Sequence, residues 1–61
     1  MLIIGAFYKV FFDGKFHICK LTDHDNTDMV FKYHGQLITL DRKFTKIILL
    51  GKPSPTLIKL Y

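Results

Sequence analysis

A chain of 61 residues makes one small domain, residues 1–61, and so small a fold buries only about 60% of the surface its unfolded chain exposes. Cys19 is the single cysteine and no zinc-finger spacing is present, so neither a disulfide nor a structural metal is expected to staple it. The formal charge is +4 and 49% of the residues are hydrophobic, a high share for a domain with so much surface to solvate, which leaves association of chains as the expected source of further stability.

The longest apolar stretches, such as Ile47–Leu50, run to a few residues and are too short to cross a bilayer as a helix, so no membrane partner is expected. Met1-Leu2-Ile3-Ile4 carries neither a basic n-region nor a cleavage site and does not read as a signal peptide. A lone thiol without such a signal suggests a reducing compartment, the cytoplasm, or the host cytoplasm if the protein is viral.

There is no Glu and one Ala, so the usual helix-building residues are missing. All five acidic residues are Asp, and each lies in or beside a polar break: Asp13, Asp23, Asp25, Asp28 and Asp41. The breaks divide the chain into short segments rich in β-branched and aromatic residues, which predicts an all-β fold of five or six antiparallel strands.

In chain order, Ala6–Phe12 and Lys15–Thr22 flank Asp13-Gly14, a strong hairpin signal. A two-residue loop pairs Phe12 with Lys15 and leaves both faces mixed. A three-residue loop with Gly14 left-handed pairs Phe11 with Lys15 and separates polarity better, so this register is preferred. It places Tyr8, Val10, Phe16 and Ile18 on one face and Phe7, Lys9, Phe11, Lys15, His17 and Cys19 on the other. The polar run Asp23–Asp28 has no periodicity and reads as a surface loop.

Met29–Tyr33 and Gln36–Leu40 flank His34-Gly35, and a two-residue loop there pairs Phe31 with Ile38 and Met29 with Leu40 facing inward. Val30, Lys32, Leu37 and Thr39 then face outward. Asp41 is placed to cap a short turn through Arg42, Lys43 and Phe44, and Thr45–Leu50 forms the next strand. Gly51-Lys52-Pro53-Ser54-Pro55 must be irregular, and Thr56–Tyr61 is expected as a last strand.

The segment from Lys9 to Phe16 resembles the first hairpin of SH3-like and Sm-like barrels, and the segment from Tyr33 to Arg42 resembles their later hairpin and the turn after it. Leu40-Asp41-Arg42 is similar to a leucine-aspartate-basic step before the last strand of the Sm-like Rho-inhibitor family. The resemblance spans roughly residues 8–50, without the RNA-loop motifs or leading helix of true Sm proteins. It implies a small barrel and a regulatory inhibitor that docks on the transcription machinery.

The residues carry two candidate surfaces. One interleaves Phe7, Lys9, Phe11, Lys15 and His17, where rings would stack on bases and lysines would neutralise phosphates. The alternative for its rings is burial under the terminal strands or in a dimer contact. The second surface clusters Arg42, Lys43 and Lys46, with Lys32 nearby across the sheet, and suits phosphates, an acidic protein or solvent alone. The apolar ends, with Leu2, Ile3, Leu57, Ile58 and Leu60, are the expected contacts of a homo-oligomer.

Metal and catalysis are not expected. His17, Cys19, His24 and His34 lack the paired spacing of a zinc site, and Asp23-x-Asp25-x-Thr27 fails as a calcium loop at Asp28 and His34. His17 and Cys19 lie two apart on a strand, with side chains about 7 Å apart, beyond the reach of a nucleophile–base pair. The expected function is a non-enzymatic regulatory protein, without a cofactor, that docks on a protein of the nucleic-acid machinery. The alternative is a small barrel binding single-stranded RNA or DNA.

Overall fold

Asp13 and Gly14 both take positive φ, 53° and 79°, which is the backbone of a two-residue turn whose hand matches the twist of the strands it joins. His34 and Gly35 repeat the arrangement at 48° and 78°. In the computed structural model, which describes residues 2–51, these two turns divide the sheet into hairpins. The strands are β1 (Phe7–Phe12), β2 (Lys15–His24), β3 (Asp28–Tyr33), β4 (Gln36–Asp41) and β5 (Ile47–Gly51).

They form one five-stranded antiparallel sheet in the order β4-β3-β2-β1-β5. The first four strands follow one another as a meander, and β5 returns to pair with β1. Among the described residues no hydrogen-bonded ladder joins β4 to β5, so the sheet is not closed by hydrogen bonds. Bulges between Phe7 and Tyr8 and between Leu21 and Asp23 bend it. The expected strand over Thr56–Tyr61 lies outside the described residues, as do Leu57, Ile58 and Leu60.

The first hairpin corrects the preferred register. Phe12 pairs with Lys15 and Phe11 with Phe16, so the loop has two residues and the other register does not form. Tyr8, Val10, His17 and Cys19 therefore share the inner face, and Lys9, Phe11, Phe16 and Ile18 share the outer one. Turn chemistry overrides polarity here: Asp-Gly is well suited to two consecutive positive-φ positions, and the polar residues turned inward can be accommodated near the hairpin tip.

The second hairpin has the expected register, with Phe31 opposite Ile38 and Met29 opposite Leu40. Between the hairpins, β2 runs on to His24 and β3 begins at Asp28, so half of the expected loop is strand and the turn shrinks to Asp25-Asn26-Thr27. Asp41 caps the next turn as expected, its carboxylate accepting from the amides of Lys43 at 2.8 Å and Phe44 at 3.2 Å.

The core is the inner face: Ala6, Tyr8, Val10, Cys19, Leu21, Met29 and Phe31 are buried, with Leu2, Phe12, Tyr33, Ile38, Leu40 and Ile47 packed around them. Tyr8 and Phe31 meet edge to face at 6.0 Å. The Tyr8 hydroxyl accepts a hydrogen bond from the Ile3 amide at 2.9 Å, so this nearly buried phenol is satisfied by the chain's own beginning. Residues 2–5 accordingly form no strand: Ile4 and Gly5 make a turn, Leu2 packs on the core, and Ile3 and Ile4 are exposed.

This packing sets a sharp contrast within one hairpin. Phe31→Ala is expected to cost about 3–5 kcal/mol of unfolding free energy, because the ring is fully buried. Leu37→Ala, at a site 68% exposed, should stay within about 0.5 kcal/mol. Denaturant titration of the two variants checks the register, and comparable losses would contradict it.

Candidate functional site

Residues paired across neighbouring strands point to one side of a sheet, so the register lists the outer face row by row. Phe11 and Phe16 form the first row below the Asp13-Gly14 turn. Ile48, Lys9 and Ile18 form the next, and Phe7, Lys20, Lys32 and Leu37 the one after. The alternation through Ile47 puts Lys46 on the same side, and its carbonyl accepts from the Phe11 amide at 3.0 Å.

Phe11 and Phe16 are 42% and 40% exposed, and their rings meet edge to face at 5.1 Å and 72°. Phe7 lies on this side too, but it is buried. Lys9, Lys20, Lys32 and Lys46 are all exposed. Between the Asp13-Gly14 turn and the row of Val30 and Thr39, every charged residue on this face is a lysine. Asp23, Asp28 and Asp41 occupy the far end, beside or beyond that row. The face therefore combines apolar and cationic surface at one end and carries carboxylates at the other.

Of the residues expected at the first surface, Lys9 and Phe11 belong to this face, while Lys15 and His17 turn to the opposite side because of the register. His17 is held there at both ring nitrogens. Nε2 lies 3.0 Å from the Phe12 carbonyl, which can only accept, so Nε2 donates to it. Nδ1 lies 3.0 Å from the Tyr33 hydroxyl, and the imidazole stacks on Phe12 at 3.9 Å. His17 thus closes the core at the hairpin tips.

The second expected cluster is not a single surface. Arg42 is a clamp: its Nη1 donates to the Asp25 carbonyl at 2.7 Å and lies 3.4 Å from His24 Nδ1, while its amide donates to the Thr27 carbonyl at 2.9 Å. These contacts tie the β4–β5 connection to the β2–β3 turn. Asp25 organises that turn by accepting from the amides of Thr27 and Asp28, both at 2.8 Å. The bond from Asp28, then that from Thr27, holds its carboxyl below the usual carboxylate range. The Lys43 ammonium sits 5.7 Å over the Phe44 ring, Lys46 belongs beside Phe11, and Lys32 is on the outer face opposite Lys20 and Leu37.

Phe16, Ile18, Lys20 and Ile48 are the residues of the outer face that sequence reasoning missed. The two-residue Asp-Gly turn was the available signal for the first three. Cys19 is fully buried, and burial pushes its thiol from 9.0 up to about 11. Among the described residues no group of three or more His, Cys, Asp or Glu could hold a metal ion. Comparison with protein-family models, curated proteins and solved structures found no match for this chain.

Two outcomes test these assignments. Below pH 9 the Cys19 thiol is protonated in both folded and unfolded chains; between 9.0 and about 11 only the unfolded chain loses the proton, so this group subtracts stability as pH rises. Unfolding free energy should therefore fall more steeply across that window for the wild type than for Cys19→Ala, and parallel profiles would contradict the burial. Arg42→Ala should lower stability by up to about 1 kcal/mol, measured by thermal unfolding, through loss of the clamp.

Proposed function

We propose that this protein is a non-enzymatic regulatory binding protein that docks on a component of the transcription or nucleic-acid machinery through the outer face of its sheet. The observation that carries the reading is the juxtaposition of two half-exposed rings, Phe11 and Phe16, with Lys9, Lys20, Lys32 and Lys46 on one side of the sheet. A monomeric domain gains nothing from leaving such rings in water, and apolar area interleaved with cations suits a partner that is both anionic and unsaturated or apolar.

A binding role rather than catalysis is supported by the state of the most reactive side chains. The Cys19 thiol is buried with its proton held, and both nitrogens of His17 are occupied. We place the architecture with the SH3-like or Sm-like barrels that the hairpins resemble. The strand order and the capped turn between β4 and β5 support this. The cytoplasm, of a host cell if the protein is viral, is the proposed setting.

The test is affinity capture from the native cell with wild-type protein and with the triple variant Lys9→Gln, Phe11→Ala, Phe16→Ala, each with and without nuclease. The wild type should enrich a protein or nucleic acid of the transcription or nucleic-acid machinery, and the folded triple variant should lose at least nine-tenths of it, about 1.4 kcal/mol or more. Equal capture by both proteins, or enrichment unrelated to nucleic acids, would refute the reading.

A further inference from the structure

Lys20 and Lys32 are direct partners across β2 and β3, and on the far sides of the row stand Phe7 and Leu37. Side chains so paired have Cβ atoms about 5 Å apart, and like charges in that relation destabilise a sheet. No carboxylate relieves the pair: among the described residues neither lysine forms an ion pair, and the nearest row with a carboxylate on this face holds Asp23 opposite Val30. The free protein thus sets two like charges opposite each other in the middle of its most cationic surface. An anion lodged between the two ammonium groups turns that repulsion into attraction.

The aromatic pair adds a second requirement. With an interplanar angle of 72°, Phe11 and Phe16 cannot both lie flat beneath successive planar groups. One ring offers its face and the other buttresses it with an edge, so the pair seats one planar group and not two. Phe16 and Lys20 are four residues apart on β2, about 13 Å, and Lys9 stands in the row between them. A planar group at one end of such a span, negative charges along it and one charge at its far end describe a few nucleotides of an unpaired strand. A duplex hides its bases from the rings.

We propose that the outer face binds single-stranded nucleic acid, with one base stacked on the Phe11–Phe16 pair and a phosphate held between Lys20 and Lys32. The inference rests on the binding role assigned above and names the ligand class of that site. It separates two properties that a purely structural role would join. Each of Lys20 and Lys32 opposes the stability of the free protein while contributing to affinity. Phe11 and Phe16 act as one unit, so loss of either removes most of what the pair provides.

The experiment titrates fluorescein-labelled oligothymidylate and oligouridylate of about a dozen nucleotides, and a mixed-sequence duplex of equal length, into wild-type protein over a range of salt. Thermal melting of each free variant is recorded alongside. The single strands should bind more tightly than the duplex. Lys20→Gln and Lys32→Gln should each weaken binding several-fold and flatten the log–log salt slope by about 0.7. Each should also raise the melting temperature of the free protein by about 2 °C. Phe11→Ala and Phe16→Ala should each weaken binding by about ten-fold with the slope unchanged, and the double variant by little more than either. Lys43→Gln, in the β4–β5 turn, should change neither quantity.

Duplex bound as tightly as single strand, additive losses at the two rings, or a lower melting temperature for both lysine variants would overturn the proposal. Absence of single-strand binding together with nuclease-resistant, face-dependent capture of a protein would overturn it as well, while leaving the broader binding role standing. Absence of both would remove the two together.

Discussion

Strand parity at one turn governs the rest of the molecule. A β-strand turns successive side chains to opposite faces, so adding one residue to the Asp13-Gly14 loop would exchange the inner and outer sets of one strand relative to the other. With two residues in the loop, Val10 meets His17 and Tyr8 meets Cys19 over the core. Lys9, Phe11 and Phe16 are left to solvent by the same constraint. The core and the candidate binding face are two consequences of one backbone conformation, in which Asp13 accepts a left-handed φ that its short polar side chain tolerates.

Placing a histidine over the core has to be compensated locally. Both nitrogens of His17 find partners, the Phe12 carbonyl and the Tyr33 hydroxyl, and its ring stacks on Phe12, so the second hairpin supplies what the first one lacks. The opposite end of the sheet is tied differently. Asp25 and Asp41 each accept two backbone amides, and Arg42 bridges from one turn to the carbonyls and side chain of the other. Polar groups thus organise both ends of the hairpins while apolar ones fill the middle. Among the described residues, the lysines of the outer face, and Lys15 on the other side, are left without such ties.

Much of this architecture is legible in the residues. The second hairpin follows from Met29, Phe31, Ile38 and Leu40, because one register alone segregates them, and the Asp41 cap follows from its place before a basic turn. In the first hairpin alternation favours the other register, and the preference of Asp-Gly for two positive-φ positions overrides it. That single shift exchanged Phe16 for His17 on the candidate face. The role of Arg42 was hidden for a different reason: its partners, His24 and the backbone of Asp25 and Thr27, are distant in sequence, and no pattern on its own strand announces them. The extension of β2 to His24 was also obscured, since a bulge at Thr22 breaks the alternation by which a strand is recognised.

On this reading the outer face, and not the β4–β5 turn or the β5 edge, meets the ligand. Backbone amide shifts recorded by NMR during titration with oligothymidylate test it most directly. The largest changes should fall on Lys9, Phe11, Phe16, Lys20 and Lys32 while Arg42, Lys43 and Phe44 stay in place. Changes confined to the β4–β5 turn or to Leu49 and Leu50, or no changes at all at saturating oligonucleotide, would contradict it.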